Sequence, residues 1–161
     1  MIAGTAAFAR YWEGVRERTL RFIDPIPPEA MDFSPHPGKY TMGDLIRHIA
    51  STELMFVNAA LDGRWGYRGH HRSLGATKEE ALAYLMAAHS TVMARLNSAP
   101  DALLGEKRPT LDGHPVSAWR LLMLMVEHEV HHRSQISQYL VDLGVQPPQI
   151  FGKAMEELPP A

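Results

Sequence analysis

Hydrophobic positions recur at steps of three and four residues over four long stretches, the period of an amphipathic α-helix. The first runs from Thr5 to Phe22, where Phe8, Tyr11, Trp12, Val15, Thr19 and Phe22 form an aromatic-rich stripe. It stops before DPIPPEAMDFSPHPGKY, whose five prolines cannot continue a helix. The second begins at Thr41. Thr41-Met42-Gly43-Asp44 has the form of a capping box, with Asp44 where Glu or Gln is usual. Its stripe is Leu45, Ile49, Thr52, Phe56 and Ala60, and it stops at the glycine-rich DGRWGYRGHHRSLG. The third opens on Thr77-Lys78-Glu79-Glu80, a standard capping box, and carries Leu82, Leu85, His89, Val92, Met93 and Leu96. The fourth is predicted from Pro115, in the first turn, to Leu143, ahead of Gly144 and VQPP. No stretch alternates long enough to predict a strand, and the segment PPQIFGKAMEELPPA reads as an irregular tail with at most a short helical turn.

Four such helices imply an all-α fold, a four-helix bundle forming a single domain over residues 1–161. The connections, about 14–19 residues each, exceed the few residues of an up-down-up-down bundle. At least one is therefore expected to cross over.

Composition narrows the chemistry. The net charge of −2 lacks the basic surplus of a nucleic-acid-binding surface. No apolar run approaches the ~20 residues of a membrane span, and the N-terminal stretch is too charged for a signal peptide. A cytoplasmic protein is expected. There is no cysteine, which excludes disulfides, thiolate ligands and a cysteine nucleophile. A metal site would have to use nitrogen and oxygen, and nine histidines are available.

Two of them stand out. On a helix advancing about 100° per residue, His132 lies only about 40° from His128. Leu121, Met125 and Tyr139 fall in the same sector, so both histidines sit inside the apolar stripe and point into the bundle. Burying two neutral imidazoles is costly unless their nitrogens find partners, and a shared ion would be one. A third ligand can come from His48, beside the stripe of the second helix. His89, central in the third helix, reads as a hydrogen-bonded core residue, with ligation as its alternative. His36, His70, His71 and His114 lie beside Gly and Pro and are expected in solvent.

His128-Glu129-Val130-His131-His132 also matches H-E-x-x-H, the zinc-protease motif, with Glu129 as the candidate catalytic base. The context argues against a protease. No histidine follows His132, and no strand is expected on which to lay an extended peptide. The alternative for Glu129 is a surface pair with Arg133, one turn on. A di-iron bundle would need a second Glu-x-x-His, which the sequence lacks.

PHPGKYTMGDLIRHIA, and LDGHPVSAWRLLMLMVEHEVHHRSQISQYLVDLGVQPP, resemble the DinB/YfiT-like superfamily of metalloenzymes over nearly the whole chain. The specific part is His48 early in the second helix, then His128 and His132 followed by Arg133 and Gln135. The resemblance implies an up-down-down-up bundle and a homodimer. It also implies a divalent metal ion, zinc or nickel, on His48, His128 and His132. Family members include transferases and isomerases that use a low-molecular-weight thiol, so a thiol cosubstrate is expected as the small-molecule partner. A hydrolase using metal-activated water is one alternative, and a non-enzymatic bundle with a structural metal is another. The loop residues Arg64, Trp65, Tyr67, Arg68 and Arg72 would suit an acidic cosubstrate, against the plainer reading of a solvated loop.

Overall fold

Two capping boxes start helices where the sequence predicts them. Thr41 Oγ1 accepts from the Asp44 N–H at 3.1 Å, and the Asp44 carboxylate accepts from the Thr41 N–H at 3.0 Å. Thr77 and Glu80 do the same, at 3.2 Å in each direction. Each box satisfies two amides that the first turn would leave open. The structure, a computed structural model, describes residues 4–159. Its helices are α1 (Thr5–Ile23), α2 (Met42–Asp62), α3 (Lys78–Ser98) and α4 (Ala118–Asp142). α2 ends on Gly63, whose φ of 68° is the left-handed conformation that favours glycine.

Three details depart from the sequence reading. Residues 107–109 and 115–117 pair as a short antiparallel hairpin, β1 (Lys107–Pro109) and β2 (Pro115–Ser117). Strands of three residues are too short to show alternation. Pro115 therefore lies in β2, and α4 starts at Ala118, capped by Ser117 Oγ. Tyr11 is 38% exposed, because it stands at the edge of the α1 stripe. The expected turn in the tail is present as a single 3₁₀ turn, Met155–Glu157.

Cross-helix contacts fix the topology. Thr5 Oγ1 donates to the carbonyl of Ala99, and Lys78 Nζ to that of Asp24, so α1 and α3 are antiparallel. Ser51 meets Tyr84 and Asn58 meets Arg95, so α2 and α3 run parallel. Tyr40 meets Tyr139 and His48 meets His128, so α4 opposes α2. The order is up-down-down-up. Parallel neighbours need a connection that travels back along the bundle, and residues 63–77 make that crossover.

The core has two apolar layers. One contains Phe8, Trp12, Phe56, Leu96, Leu121 and Met125. The other contains Phe22, Leu45, Ile49, Leu85, Ile136 and Leu140. Between them, at mid-height, lies a belt of polar side chains from all four helices, including buried Arg16, Glu53, His89 and Glu129. The candidate site forms the α2–α4 side of this belt.

Candidate metal centre

α2 and α4 bring His48, His128 and His132 together, with donor atoms within 4.8 Å of one another. His128 Nε2 lies 3.1 Å from His48 Nε2 and 3.1 Å from His132 Nε2. Each ring is held from behind at its other nitrogen. His48 Nδ1 is 2.6 Å from the Tyr67 hydroxyl, and His132 Nδ1 is 2.7 Å from Gln135 Oε1. His128 Nδ1 is 3.3 Å from Thr52 Oγ1, whose own proton goes to the His48 carbonyl at 2.8 Å.

This arrangement tests whether the residues fit an ion. Gln135 Oε1 can only accept, and Thr52 Oγ1 has spent its proton, so His132 and His128 carry hydrogen on Nδ1. The Nε2 lone pairs of His128 and His132 then face one another across about 3 Å, which is repulsive unless a positive centre lies between them. A divalent ion with bonds of about 2.0–2.1 Å to each nitrogen requires spacings near these. Histidine ligands are commonly fixed in this way by an acceptor on the far nitrogen. The residues present therefore fit a divalent ion.

Electrostatics point the same way. Burial, then the neighbouring His132 and His70, push His48 down to about 4. Burial, then His132 and His48, push His128 down to about 3. Burial also lowers His132. In the unfolded chain a histidine titrates near 6.5. Below that value the unfolded state binds more protons, so metal-free stability is full above about pH 6.5 and falls as pH drops toward 4. Thermal unfolding of the metal-free protein should hold level from pH 7.5 to about 6.5 and decline from there to pH 4.5, and a flat profile would contradict it.

Around the tripod, Tyr40 packs its ring on His48 (centroids 5.0 Å apart) and on His70 (4.5 Å). Tyr67 is also 2.9 Å from His70 Nδ1. Burial pushes the Tyr67 phenol up to about 12, so it keeps its proton at neutral pH. A hollow of about 190 Å³, lined by Gly38, Lys39, Tyr40, Gln135 and Tyr139, opens beside His132. A larger hollow of about 430 Å³ lies between α4 and the tail, near Val141 and Phe151, and none of the three histidines lines it.

Several expectations change here. Glu129 is not on the surface, and it is drawn to Arg16 rather than to Arg133. It is 2% exposed, and its carboxylate lies 2.9 Å from Arg16 Nη2. That contact is poorly directed and leaves both Glu129 oxygens without a hydrogen bond. Burial raises the Glu129 carboxyl, against the opposing pull of Arg16. Arg133 makes no salt bridge with Glu129, and its Nη1 reaches the Val15 carbonyl at 3.5 Å. His89 is a core residue, with Nδ1 2.7 Å from Glu53 and Nε2 3.2 Å from Glu13. His36, His71 and His114 are exposed as expected, whereas His70 is half-buried beside the site. Of the loop residues, Tyr67 touches His48, Trp65 Nε1 donates to the Pro109 carbonyl, and Arg72 pairs with Asp32 in solvent. Arg64 and Arg68 are exposed.

Sequence reasoning missed Arg16, Glu53, Tyr67 and Thr52 as partners. Arg16 carried a usable signal, since it lies one turn from Trp12 and three residues before Thr19, a charge set into an apolar stripe. Tyr67 carried none, because its place depends on the path of the crossover.

The chain matches the DinB family over residues 1–159. It is 24% identical to "Uncharacterized protein YrdA" of Bacillus subtilis (strain 168) across 151 residues, 93% of this chain and 89% of YrdA. Among solved structures it is similar to a DinB-like protein from Bacillus cereus ATCC 10987, with a TM-score of 0.75 at 20% identity, over 92% of this chain and 99% of that one. It is also similar to YfiT from Bacillus subtilis, described as "a probable metal-dependent hydrolase with an unusual four-helix bundle topology". There the TM-score is 0.68 at 17% identity, over 88% of this chain and 89% of YfiT. At such identities the solved structures speak to the fold, and with the family matched along almost the whole chain, this protein belongs to the DinB family.

Proposed function

We propose that the protein is a metal-dependent enzyme in which His48, His128 and His132 hold one divalent ion, zinc or nickel, and that it transfers a low-molecular-weight thiol to a small-molecule acceptor. The observation that carries this reading is a three-histidine donor set joined by no carboxylate among the described residues. Three neutral nitrogens leave an ion a free coordination position, the mark of a catalytic rather than a structural centre. When bound, such an ion supplies a Lewis acid that favours the anionic form of a thiol or water at its free position.

The chain's own residues do the rest. Gln135 and Thr52 hold the rings of His132 and His128 in register. Tyr40 and Phe56 pack against the three histidines, with Phe56 5.6 Å from His128 between centroids. The hollow beside His132 offers a place for the thiol's body, and Lys39 at its rim suits an acidic group. A thiol needs no protein base to lose its proton at such a centre. That favours thiol chemistry here, because Glu129 is turned into the core against Arg16.

A hydrolase is the second reading, favoured by the description of YfiT. A structural metal is less well supported, because two apolar layers close the bundle on either side of the site. Binding of bacillithiol, mycothiol, glutathione and coenzyme A to zinc-loaded protein, followed calorimetrically, separates these readings. The thiol reading expects at least one to bind the loaded protein and none to bind the metal-free protein. Binding of none would sink it and leave the hydrolase.

A further inference from the structure

His48 is the one proposed ligand whose outer nitrogen is held by a residue from outside the helices. Gln135 lies on α4 with His132, and Thr52 lies on α2 facing His128. Tyr67 belongs to the crossover loop between α2 and α3. That loop is fastened on both sides of it. Trp65 Nε1 donates to the Pro109 carbonyl at 2.8 Å. Beyond Tyr67, buried Arg47 donates through Nε to the His70 carbonyl at 2.9 Å and through Nη1 to the Gly75 carbonyl at 2.6 Å. Gly75 has φ 144°, and a Cβ there would lie 2.5 Å from the Ala81 nitrogen, so this anchor requires glycine.

The Tyr67 oxygen sits between two imidazole nitrogens, 2.6 Å from His48 Nδ1 and 2.9 Å from His70 Nδ1. A hydroxyl has one proton to give. If His48 offers its Nε2 lone pair to an ion, its hydrogen must be on Nδ1 and donates to the Tyr67 oxygen. The Tyr67 proton then has one remaining acceptor within the protein, His70 Nδ1. His70 must in turn carry its own hydrogen on Nε2. One hydroxyl thus ties the tautomers of two histidines together.

We propose that Tyr67 is a positioning residue for the metal centre: its hydroxyl, oriented by His70, fixes the ring and tautomer of His48, so the crossover loop sets how tightly the ion is held. This rests on the three-histidine reading and extends it to a loop that reads as solvated in the sequence. Acceptors behind ligating histidines typically account for about 10–100-fold in metal affinity. The Tyr67 ring is 42% exposed, so Tyr67→Phe keeps the shape and packing and removes only the oxygen.

The test is zinc titration of wild type and Tyr67→Phe, with long-range ¹H–¹⁵N correlation of the histidine rings in the zinc-loaded proteins. Tyr67→Phe is expected to bind zinc about 10–100-fold more weakly, with the melting temperature of the metal-free protein unchanged. Loaded wild type should show His48 protonated on Nδ1 and His70 on Nε2, and the variant should lose the His70 preference. A merely structural role would move the melting temperature and leave the tautomers alone. Equal zinc affinity in the two proteins, or His70 protonated on Nδ1 in loaded wild type, would overturn the inference and leave the three-histidine site standing. Failure of wild type to bind zinc at all would overturn both.

Discussion

Replacing Arg16 with methionine is expected to lower the melting temperature at pH 7 by roughly 6–20 °C. Arg16 is fully buried and reaches Glu53 at 2.7 Å and Glu129 at 2.9 Å. Removing one partner of a buried ion pair costs about 3–5 kcal/mol, because the other charge is left without water or counter-charge. In a domain of this size each kcal/mol moves the midpoint by about 2–4 °C. Here two carboxylates would be stranded. Glu53 would keep its bonds from Trp12 Nε1 at 2.6 Å and His89 Nδ1 at 2.7 Å. Glu129 has no hydrogen bond of that quality and would be left with the weaker pull of Thr19, His89 and Arg133. The double variant Arg16→Met, Glu129→Gln should therefore recover part of the loss, since it removes the more weakly supported of the two charges. Calorimetric unfolding of the three proteins decides this, and an Arg16→Met midpoint within about 2 °C of wild type would contradict it. The network also bears on the site. Arg16 ties α2 through Glu53 and α4 through Glu129, the two helices that carry the histidines.

His128→Ala should lose more than about 100-fold in affinity for a divalent ion while the protein stays helical. His128 is the shared corner of the tripod, with both 3.1 Å spacings ending on its Nε2. Loss of a supporting hydrogen bond alone typically costs up to about 100-fold, and loss of the ligand itself must exceed that. The fold should persist because the two apolar layers lie above and below the site and need no ion. Isothermal titration with zinc, alongside far-ultraviolet circular dichroism, reads both halves of the expectation. Retained tight binding would remove His128 from the ligand set.

The helices were legible because each carries both a period and punctuation. Thr41 and Thr77 cap where they should, and the stripe of α2 is buried from Leu45 to Ala60. The hairpin was not, because Pro109 and Pro115 terminate strands of three residues that leave no periodic trace. At the site, His128 and His132 declared themselves by their spacing within an apolar stripe, and His48 by its position beside another. Glu129 misled, because its partner Arg16 comes from the far end of the chain and no local pattern links them. A salt bridge to Arg133 was the natural local reading, and a long-range one prevailed. Tyr67 and His70 read as solvent-exposed among glycines, and only the return of the crossover along α2 brings them to His48.

The central claim is a single ion on three imidazoles. X-ray absorption spectroscopy at the zinc edge, on wild-type protein loaded to saturation and freed of excess metal, tests it most directly. The account predicts one zinc per chain with three imidazole nitrogens at about 2.0–2.1 Å and one further light-atom ligand. Less than stoichiometric zinc after removal of excess, or a coordination shell with fewer than three imidazoles, would contradict it.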